Sequence, residues 1–350
     1  MNRNFPALRG IAILLVVINH SITLGFQFAR NQGVGIPQWQ KSLLIPIKEL
    51  GIFAVPLFLF LAGSYFAYAA QGKGLKAMYR LIPNNLLHIA LPYLIWSLVF
   101  YVVAYFLFGE QDSLIGYAKS LIVGYPNNFV PLLFFFTFFA PFLITLTKKS
   151  PLLIFLTFFT YQAFLVILLR PDIFGSILPE WARFFAPPII RLPLALWGVF
   201  YPMGVIFGLR YEWFKQTLSN KTNVFILIVI TLVLFSLAVS TQLSITSLPL
   251  IEIIVPLFGL IWLTTVKREQ MPFVRFFERL GKRSYGIYLT NLIIINLIFF
   301  TVIQIGTKQL LAIQPLLVMV IAAITIFLPL LFMEWVEKNR GRTMYRLVFG

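Results

Sequence analysis

Long apolar segments separated by short polar connections make up almost the whole chain. A run of about 20 apolar residues is long enough to cross the hydrocarbon core of a bilayer as a helix. Runs of this kind predict about ten spans, at residues 8–28, 50–70, 86–108, 129–147, 151–169, 187–209, 223–242, 248–266, 285–305 and 310–333. The connections between them are too short to fold independently. The pattern therefore predicts an all-α integral membrane protein, a single polytopic bundle over residues 1–350 without a separate soluble domain.

The composition agrees with a membrane protein and narrows the available chemistry. Hydrophobic residues make up 60% of the chain and charged residues 11%, far fewer charges than in a soluble domain. Cysteine is absent, which excludes disulfides, thiolate metal ligands and a cysteine nucleophile. Imidazole chemistry is limited to His20 and His88. We expect no bound metal.

The positive charge of the chain follows the predicted spans rather than forming a nucleic-acid surface. The formal net charge is +17. An even number of spans places both termini on one side, and most of the 28 lysines and arginines fall in connections on that same side. Cytoplasmic connections of membrane proteins are enriched in these residues. We therefore predict that both termini are cytoplasmic, and that nucleic acid is not a partner.

Three polar residues of the first span are the strongest candidates for a functional site. A histidine within the bilayer is costly and by default marks a functional position, and His20 can exchange a proton near neutral pH. Arg9 lies about 16 Å from His20 along one helix, so the guanidinium would be near the membrane face and the imidazole within the bilayer. Asn19 points about 100° away from its neighbour, and we expect it to orient the helix.

Several motifs occur in a fixed order along the chain. They are RGIAILLVVINH at 9–20, VPLFLFLAGSYFA at 55–67, LPYLIWS at 91–97, YPMGVIFG at 201–208, LGKRSYGIYLTN at 280–291 and WVEKN at 335–339. Each motif alone is short and apolar. Together they resemble the membrane acyltransferase-3 family, the O-acyltransferases of bacterial surface polysaccharides and related glycans, in which an arginine and a histidine are separated by ten residues in the first helix.

The resemblance implies a reaction and roles for individual residues. A multi-pass enzyme of the bacterial plasma membrane would move an acyl group, most simply acetyl, from cytosolic acyl-CoA to a hydroxyl of a cell-surface or lipid-linked carbohydrate. No tightly bound cofactor is implied beyond this co-substrate. His20 would be the catalytic base or an acyl relay, and Arg9 would hold the inner end of the site. For Ser284, Tyr285 and Glu337, which match the late motifs, we favour structural roles.

The sequence also departs from the family pattern at identifiable positions. The family carries two arginines before the third-helix proline, associated with binding the acyl-CoA donor, and Asn85 and His88 occupy those positions here. Arg80, with Lys76 and Lys73, is the nearest basic cluster. Because phosphate groups need cationic donors, we predict donor contacts from Arg80, Lys76 and His88. Two further family positions are changed, with Ala62 in place of a serine and Asn291 in place of a histidine.

Two other functions are compatible with the sequence. An exporter or flippase of a surface polysaccharide or its lipid-linked precursor would also have many spans, a basic inner face and intramembrane polar groups. A catalytically inactive sensor or scaffold would fit the loss of the arginine pair. Dependence on an acyl donor, and ester on the product, distinguishes the enzyme from both.

The basic segment at residues 267–283 allows two interpretations. Its sequence, KREQMPFVRFFERLGKR, alternates cations with phenylalanine and methionine. This pattern is typical of a helix lying on an anionic membrane surface. The same cations could also guide a phosphate-containing donor, but we favour the lipid surface. Residues 339–350 read as a short basic tail at that surface.

Overall fold

The computed structural model describes residues 4–174, 178–243 and 249–350. Most of these residues are helical, and none of them forms a strand. The α-helices are α1 Phe5–Asn31, α2 Gln38–Glu49, α3 Ala54–Ala69, α4 Leu75–Tyr79, α5 Ile82–Phe108, α6 Leu114–Val123, α7 Phe129–Lys149, α8 Pro151–Leu169, α9 Pro171–Phe174, α10 Arg191–Trp197, α11 Phe200–Leu209, α12 Tyr211–Thr217, α13 Lys221–Leu243, α14 Ile251–Leu263, α15 Val274–Gln304 and α16 Gln314–Phe349. Short 3₁₀ helices lie at Leu50–Phe53, Glu180–Phe185, Arg268–Gln270 and Lys308–Ala312.

Eight helical stretches within the described residues are long and apolar enough to cross a membrane. They are α1, α2 with α3, α4 with α5, α7, α8, α13, α15 and α16. Helices α10 and α11 meet at an angle of 51° and raise the count to nine if they form one broken span. Helix α14, at the predicted span 248–266, has 13 residues. The all-helical membrane fold is thus confirmed, whereas the count of ten and the cytoplasmic termini stay predictions.

The lipid-facing surface is apolar. Helix α13 is the least enclosed span, with 11% of its apolar window buried, and Phe225 exposes 66% of its surface. Leu152 of α8 and Phe106 of α5 are similarly exposed, at 67% and 76%. A soluble protein rarely leaves so many large apolar side chains exposed to water. These faces are therefore suited to contact lipid chains.

Glycines allow the central helices to approach closely. Helix α3 packs along α11, and α1 packs along α15. A Cβ atom at Gly63 would lie 2.3 Å from the Tyr201 carbonyl oxygen, and one at Gly204 would lie 2.0 Å from the Phe60 carbonyl oxygen. Small residues at such crossings let two membrane helices pack backbone to backbone. The close contact of α1 with α15 places the first motif beside the late one.

The last helix turns back on the bundle after it leaves the predicted membrane span. Gly341 has φ +82° and ψ 166°, a conformation that glycine adopts at little steric cost. The short helical segment that follows returns toward α5, where the Trp96 indole donates a hydrogen bond of 2.9 Å to the Val348 carbonyl oxygen. Phe349 is buried there. We call residues 342–350 the C-terminal hook. The sequence predicted a basic surface tail at residues 339–350. Most of the hook is exposed, but Tyr345 and Phe349 are buried, because Phe349 stacks on Trp96 of α5 and Tyr345 lies against Arg283 of α15.

Two further elements differ from the sequence-based prediction. Residues 274–283 of the segment predicted as a surface helix at 267–283 continue into the span predicted at 285–305 as one helix, α15, whereas Arg268–Gln270 form a separate 3₁₀ helix. The two parts are not interrupted by a helix break: Gly281 and Gly286, the glycines near their junction, both lie within α15. The connection at 29–49 contains α2, a 12-residue helix.

Candidate active site

His20 lies opposite Asn291 where α1 packs against α15. The Nδ1 atom of His20 is 2.7 Å from the Oδ1 atom of Asn291. Asn291 is fully buried, while His20 is half-buried. The pair joins the first-helix motif to the position where the family pattern has a histidine. Among the described residues this is the one hydrogen bond that His20 forms, and its Nε2 atom is left without a protein partner.

Asn19 takes a different direction from His20, as expected for neighbouring residues on a helix. Its Nδ2 atom donates a hydrogen bond of 3.0 Å to the Lys48 carbonyl oxygen at the end of α2. Gly51 packs against the same carboxamide, since a Cβ atom there would lie 2.5 Å from Nδ2. Asn19 therefore ties α1 to the second span and takes no part in the hydrogen bond between His20 and Asn291.

A cavity of about 340 Å³ lies at the Arg9 end of α1. Its walls come from α1, α3, α5, α7, α15 and the C-terminal hook. The lining residues are Arg9, Phe58, Leu61, Ala62, Tyr65, His88, Ile89, Phe129, Leu133, Lys282, Ser284, Tyr285, Gly286, Tyr288, Tyr345, Phe349 and Gly350. The cavity thus brings together residues from the first, second and late motifs with His88 and Ile89, which precede the third motif.

The lining of this cavity suits an anionic ligand with an aromatic part. Arg9 and Lys282 supply cations and His88 an imidazole, and the lining side chains include no aspartate or glutamate. Cationic donors of this kind bind phosphate groups. Tyrosine and phenylalanine rings form much of the remaining wall, and such rings stack on planar heterocycles.

The late motif holds its part of the wall in place. The Tyr285 hydroxyl donates a hydrogen bond of 2.7 Å to the Ile89 carbonyl oxygen of α5. Arg283, next to the cavity, pairs with Glu337, and its guanidinium lies 4.5 Å from the centre of the Tyr345 ring. These contacts link α15 to α5, α16 and the C-terminal hook. Ser284 donates to the Gly281 carbonyl oxygen of its own helix.

The predicted donor-binding residues are not all near this cavity. His88 lines it, as does Arg9. Lys76 of α4 and Arg80, which follows α4, are exposed and do not belong to its walls. Their predicted role in donor binding stays a prediction. His20 and Asn19 also lie outside the walls, farther along α1.

Sequence reasoning missed several residues of the cavity. Lys282 was assigned with its neighbours to the lipid surface, although it directly precedes the late-motif residues Arg283 and Ser284. Tyr345 and Phe349 lie in the supposed tail. The segment MYRLVF held the one indication that this tail packs on the protein, because it combines tyrosine, leucine and phenylalanine with a single cation.

No site of the described ranges gathers three or more histidine, cysteine, aspartate or glutamate side chains that could hold a metal ion.

A family model described as an acyltransferase domain matches residues 2–334. Comparison with curated proteins and with solved structures gives no match.

Proposed function

The chain belongs to the membrane acyltransferase-3 family, which makes it a membrane acyltransferase, and on this premise we propose the reaction that it catalyses. The proposed donor is cytosolic acyl-CoA with acetyl as the acyl group. The proposed acceptor is a hydroxyl of a cell-surface or lipid-linked carbohydrate. The enzyme would reside in the bacterial plasma membrane with both termini in the cytoplasm, as the distribution of lysine and arginine favours.

The observation that carries this proposal is that one helix, α1, contributes a cation to the cavity and also bears the half-buried histidine. Arg9 lies in the cavity wall, and His20 lies about 16 Å farther along α1. The cavity supplies cations for the phosphates of a nucleotide donor. The Nε2 atom of His20 has no protein partner within the described part of the chain and can accept a proton. A donor bound by its nucleotide would extend its acyl group from the cavity toward the imidazole.

The proposed chemistry is a direct transfer. The Nε2 atom of His20 accepts the proton of the acceptor hydroxyl while the hydroxyl oxygen attacks the acyl carbonyl carbon. The new carbon–oxygen ester bond forms, and the carbon–sulfur thioester bond breaks. The departing thiolate then takes the proton from the imidazolium, which returns His20 to its neutral form. The protein contains no cysteine, so a thioester intermediate on this chain is excluded.

Donor binding is assigned first to Arg9, Lys282 and His88, because these side chains line one cavity. In this proposal His88 takes one of the two positions that are arginine in the family pattern. Arg80 and Lys76 lie outside the cavity on the exposed side of α4. Their proposed contribution is to attract the anionic donor as it approaches.

The test compares ester on cell-surface glycans from cells that carry wild type, His20→Ala or His20→Gln at matched membrane abundance. The glutamine variant keeps a hydrogen-bond donor but has no basic nitrogen. We expect both variants to lose the base-labile acyl group. Ser236→Ala is the control, because Ser236 is exposed on α13 and bonds to its own helix.

Two outcomes would count against this mechanism. Wild-type ester levels in both His20 variants would exclude the imidazole as the base. Unchanged ester together with an altered amount of exported polymer would favour the exporter or flippase.

A further inference from the structure

The carboxamide of Asn291 makes two contacts that differ in kind. Its Nδ2 atom donates to the carbonyl oxygen of Tyr288, one turn earlier in α15. Its Oδ1 atom faces Nδ1 of His20 at 2.7 Å. Asn291 is fully buried, so water does not replace either partner. The orientation of this amide is therefore set by the protein alone.

The hydrogen bond from Asn291 to Tyr288 determines which atom donates in the contact between Asn291 and His20. A backbone carbonyl oxygen only accepts hydrogen bonds, so the NH₂ group of Asn291 must face Tyr288. The amide oxygen then faces His20, and an amide oxygen also only accepts. The Nδ1 atom of His20 must consequently carry the proton. In a neutral imidazole, this leaves Nε2 as the unprotonated and basic nitrogen.

The reverse arrangement is disfavoured by the same geometry. A rotated carboxamide would place its oxygen against the Tyr288 carbonyl oxygen and its NH₂ group against His20. Two acceptors would then face each other in a buried site, which leaves polar groups unsatisfied. The ring of Tyr288 packs edge-on against Phe129 of α7, with 5.4 Å between ring centroids, so the helical turn that carries the acceptor is itself held by a second helix.

We propose that Asn291 is a positioning residue that holds His20 in the tautomer protonated at Nδ1, with Nε2 free to act as the base. The tautomer follows from the hydrogen bonds of Asn291 alone. Its consequence for catalysis rests on the proposed function. The change from histidine to asparagine at this late-motif position thus replaces a titratable partner with one that accepts a hydrogen bond at every pH.

The tautomer can be measured directly because the chain has two histidines. In a His88→Gln background, ¹⁵N-histidine labelling leaves the His20 imidazole as the sole signal. Magic-angle-spinning NMR of this protein in lipid vesicles at a pH where the ring is neutral should show protonated Nδ1 and unprotonated Nε2. Asn291→Leu, similar in size but without the acceptor, should move the signal toward the Nε2-protonated form. Asn291→Asp keeps an acceptor oxygen and should retain the Nδ1-protonated form.

The activity of the same variants, with His88 restored, separates positioning from packing. We expect Asn291→Leu to lower kcat on the order of 100-fold, the usual contribution of a general base, with the KM for the acyl donor unchanged. Asn291→Asp should keep more activity than Asn291→Leu. If the leucine variant does not reach the membrane, Asn291→Ala removes the acceptor without adding volume and replaces it in both measurements.

Any of three results would overturn the proposal. The first is an Nε2-protonated ring in the wild-type spectrum, and the second is a spectrum that Asn291→Leu leaves unchanged. The third is full kcat in Asn291→Leu while His20→Ala is inactive. Full activity of His20→Ala would instead refute the proposed function, and the NMR result would still decide the assignment of the tautomer.

Discussion

Gly281 of α15 lies against Gly10 of α1 at the crossing beside the cavity. A Cβ atom at Gly281 would lie 3.1 Å from the Gly10 nitrogen and 1.8 Å from the Pro6 carbonyl oxygen. A Cβ atom at Gly10 would lie 1.9 Å from the Phe277 carbonyl oxygen. These atoms belong to backbone, which cannot rotate out of the way. The absence of two side chains therefore sets how near α1 comes to α15, and hence how near His20 comes to Asn291.

Gly281→Ala should force α1 and α15 apart and destabilise the protein. Overpacking of a core costs about 1–3 kcal/mol when side chains can yield, and we expect the upper part of that range or more because the contact is with backbone. Thermal unfolding of the purified protein in detergent measures the effect. Gly35→Ala is the matched control, because a Cβ atom at Gly35 meets no other atom within 4 Å. A melting temperature of Gly281→Ala equal to that of the control would show that the crossing can relax.

Arg9→Gln should weaken binding of the acyl donor far more than Arg80→Gln. Arg9 lies in the cavity wall, whereas Arg80 is exposed outside it. Loss of a charged hydrogen bond in a partly enclosed site costs about 1.5–3 kcal/mol, which corresponds to a KM raised roughly 10- to 150-fold. Steady-state kinetics with a varied donor concentration make the comparison. A larger effect from Arg80→Gln would move the donor site to the exposed basic cluster.

Phe349→Ala should loosen the C-terminal hook and open the cavity. Phe349 is 1% exposed and stacks on Trp96, with ring centroids 5.7 Å apart. Truncation of a buried phenylalanine costs about 3–5 kcal/mol when it lies in a well-packed core, and a surface segment should lose somewhat less. Limited proteolysis after residue 341 and the KM for the donor report the change. Leu347→Ala is the control, since Leu347 is 43% exposed in the same segment. Equal protease resistance in both variants would contradict this role for Phe349.

Glu337→Gln should be more damaging than Glu334→Gln, although each removes one ion pair between α15 and α16. Glu337 also lies 3.7 Å from Arg342, a cation that is 84% exposed. Arg283, the partner of Glu337, exposes 15% of its side chain, whereas Arg279, the partner of Glu334, exposes 49%. An exposed pair typically contributes about 0–1 kcal/mol. A less exposed cation that loses its carboxylate costs more, about 1–3 kcal/mol. Thermal melts of the two variants at low and high salt measure the difference. Equal losses would mean that solvent screens both pairs alike.

The hydrophobic pattern predicted most membrane helices well because burial in lipid requires long apolar runs. The predicted span at 151–169 coincides with α8, and the one at 223–242 lies within α13. It did not predict α2, whose sequence contains Pro46 and mixes polar with apolar residues. Nor did it predict the bend between α10 and α11, because a break within an apolar run leaves the composition of the run unchanged.

The candidate site was predictable at the level of single residues and much less so at the level of contacts. His20 and Arg9 stand out because ionisable groups are rare in apolar helices. The partner of His20 is 271 positions away in the sequence, and no local pattern reports a distance between two helices. The cavity shared by His88 and Phe349 was not predictable for the same reason, since α5 and the C-terminal hook meet only after the chain has folded.

Helix α1 runs from Phe5 to Asn31 with its proline confined to the first turn, so Arg9 and His20 belong to one rigid rod. Each residue of such a rod adds about 1.5 Å of length and 100° of rotation. A single inserted residue between them would lengthen the gap only slightly but would turn the imidazole away from Asn291. The ten residues between Arg9 and His20 therefore determine both the distance between the two side chains and their relative orientation around the helix axis. With Arg9 held at the cavity, this spacing fixes the side of α1 on which the base lies.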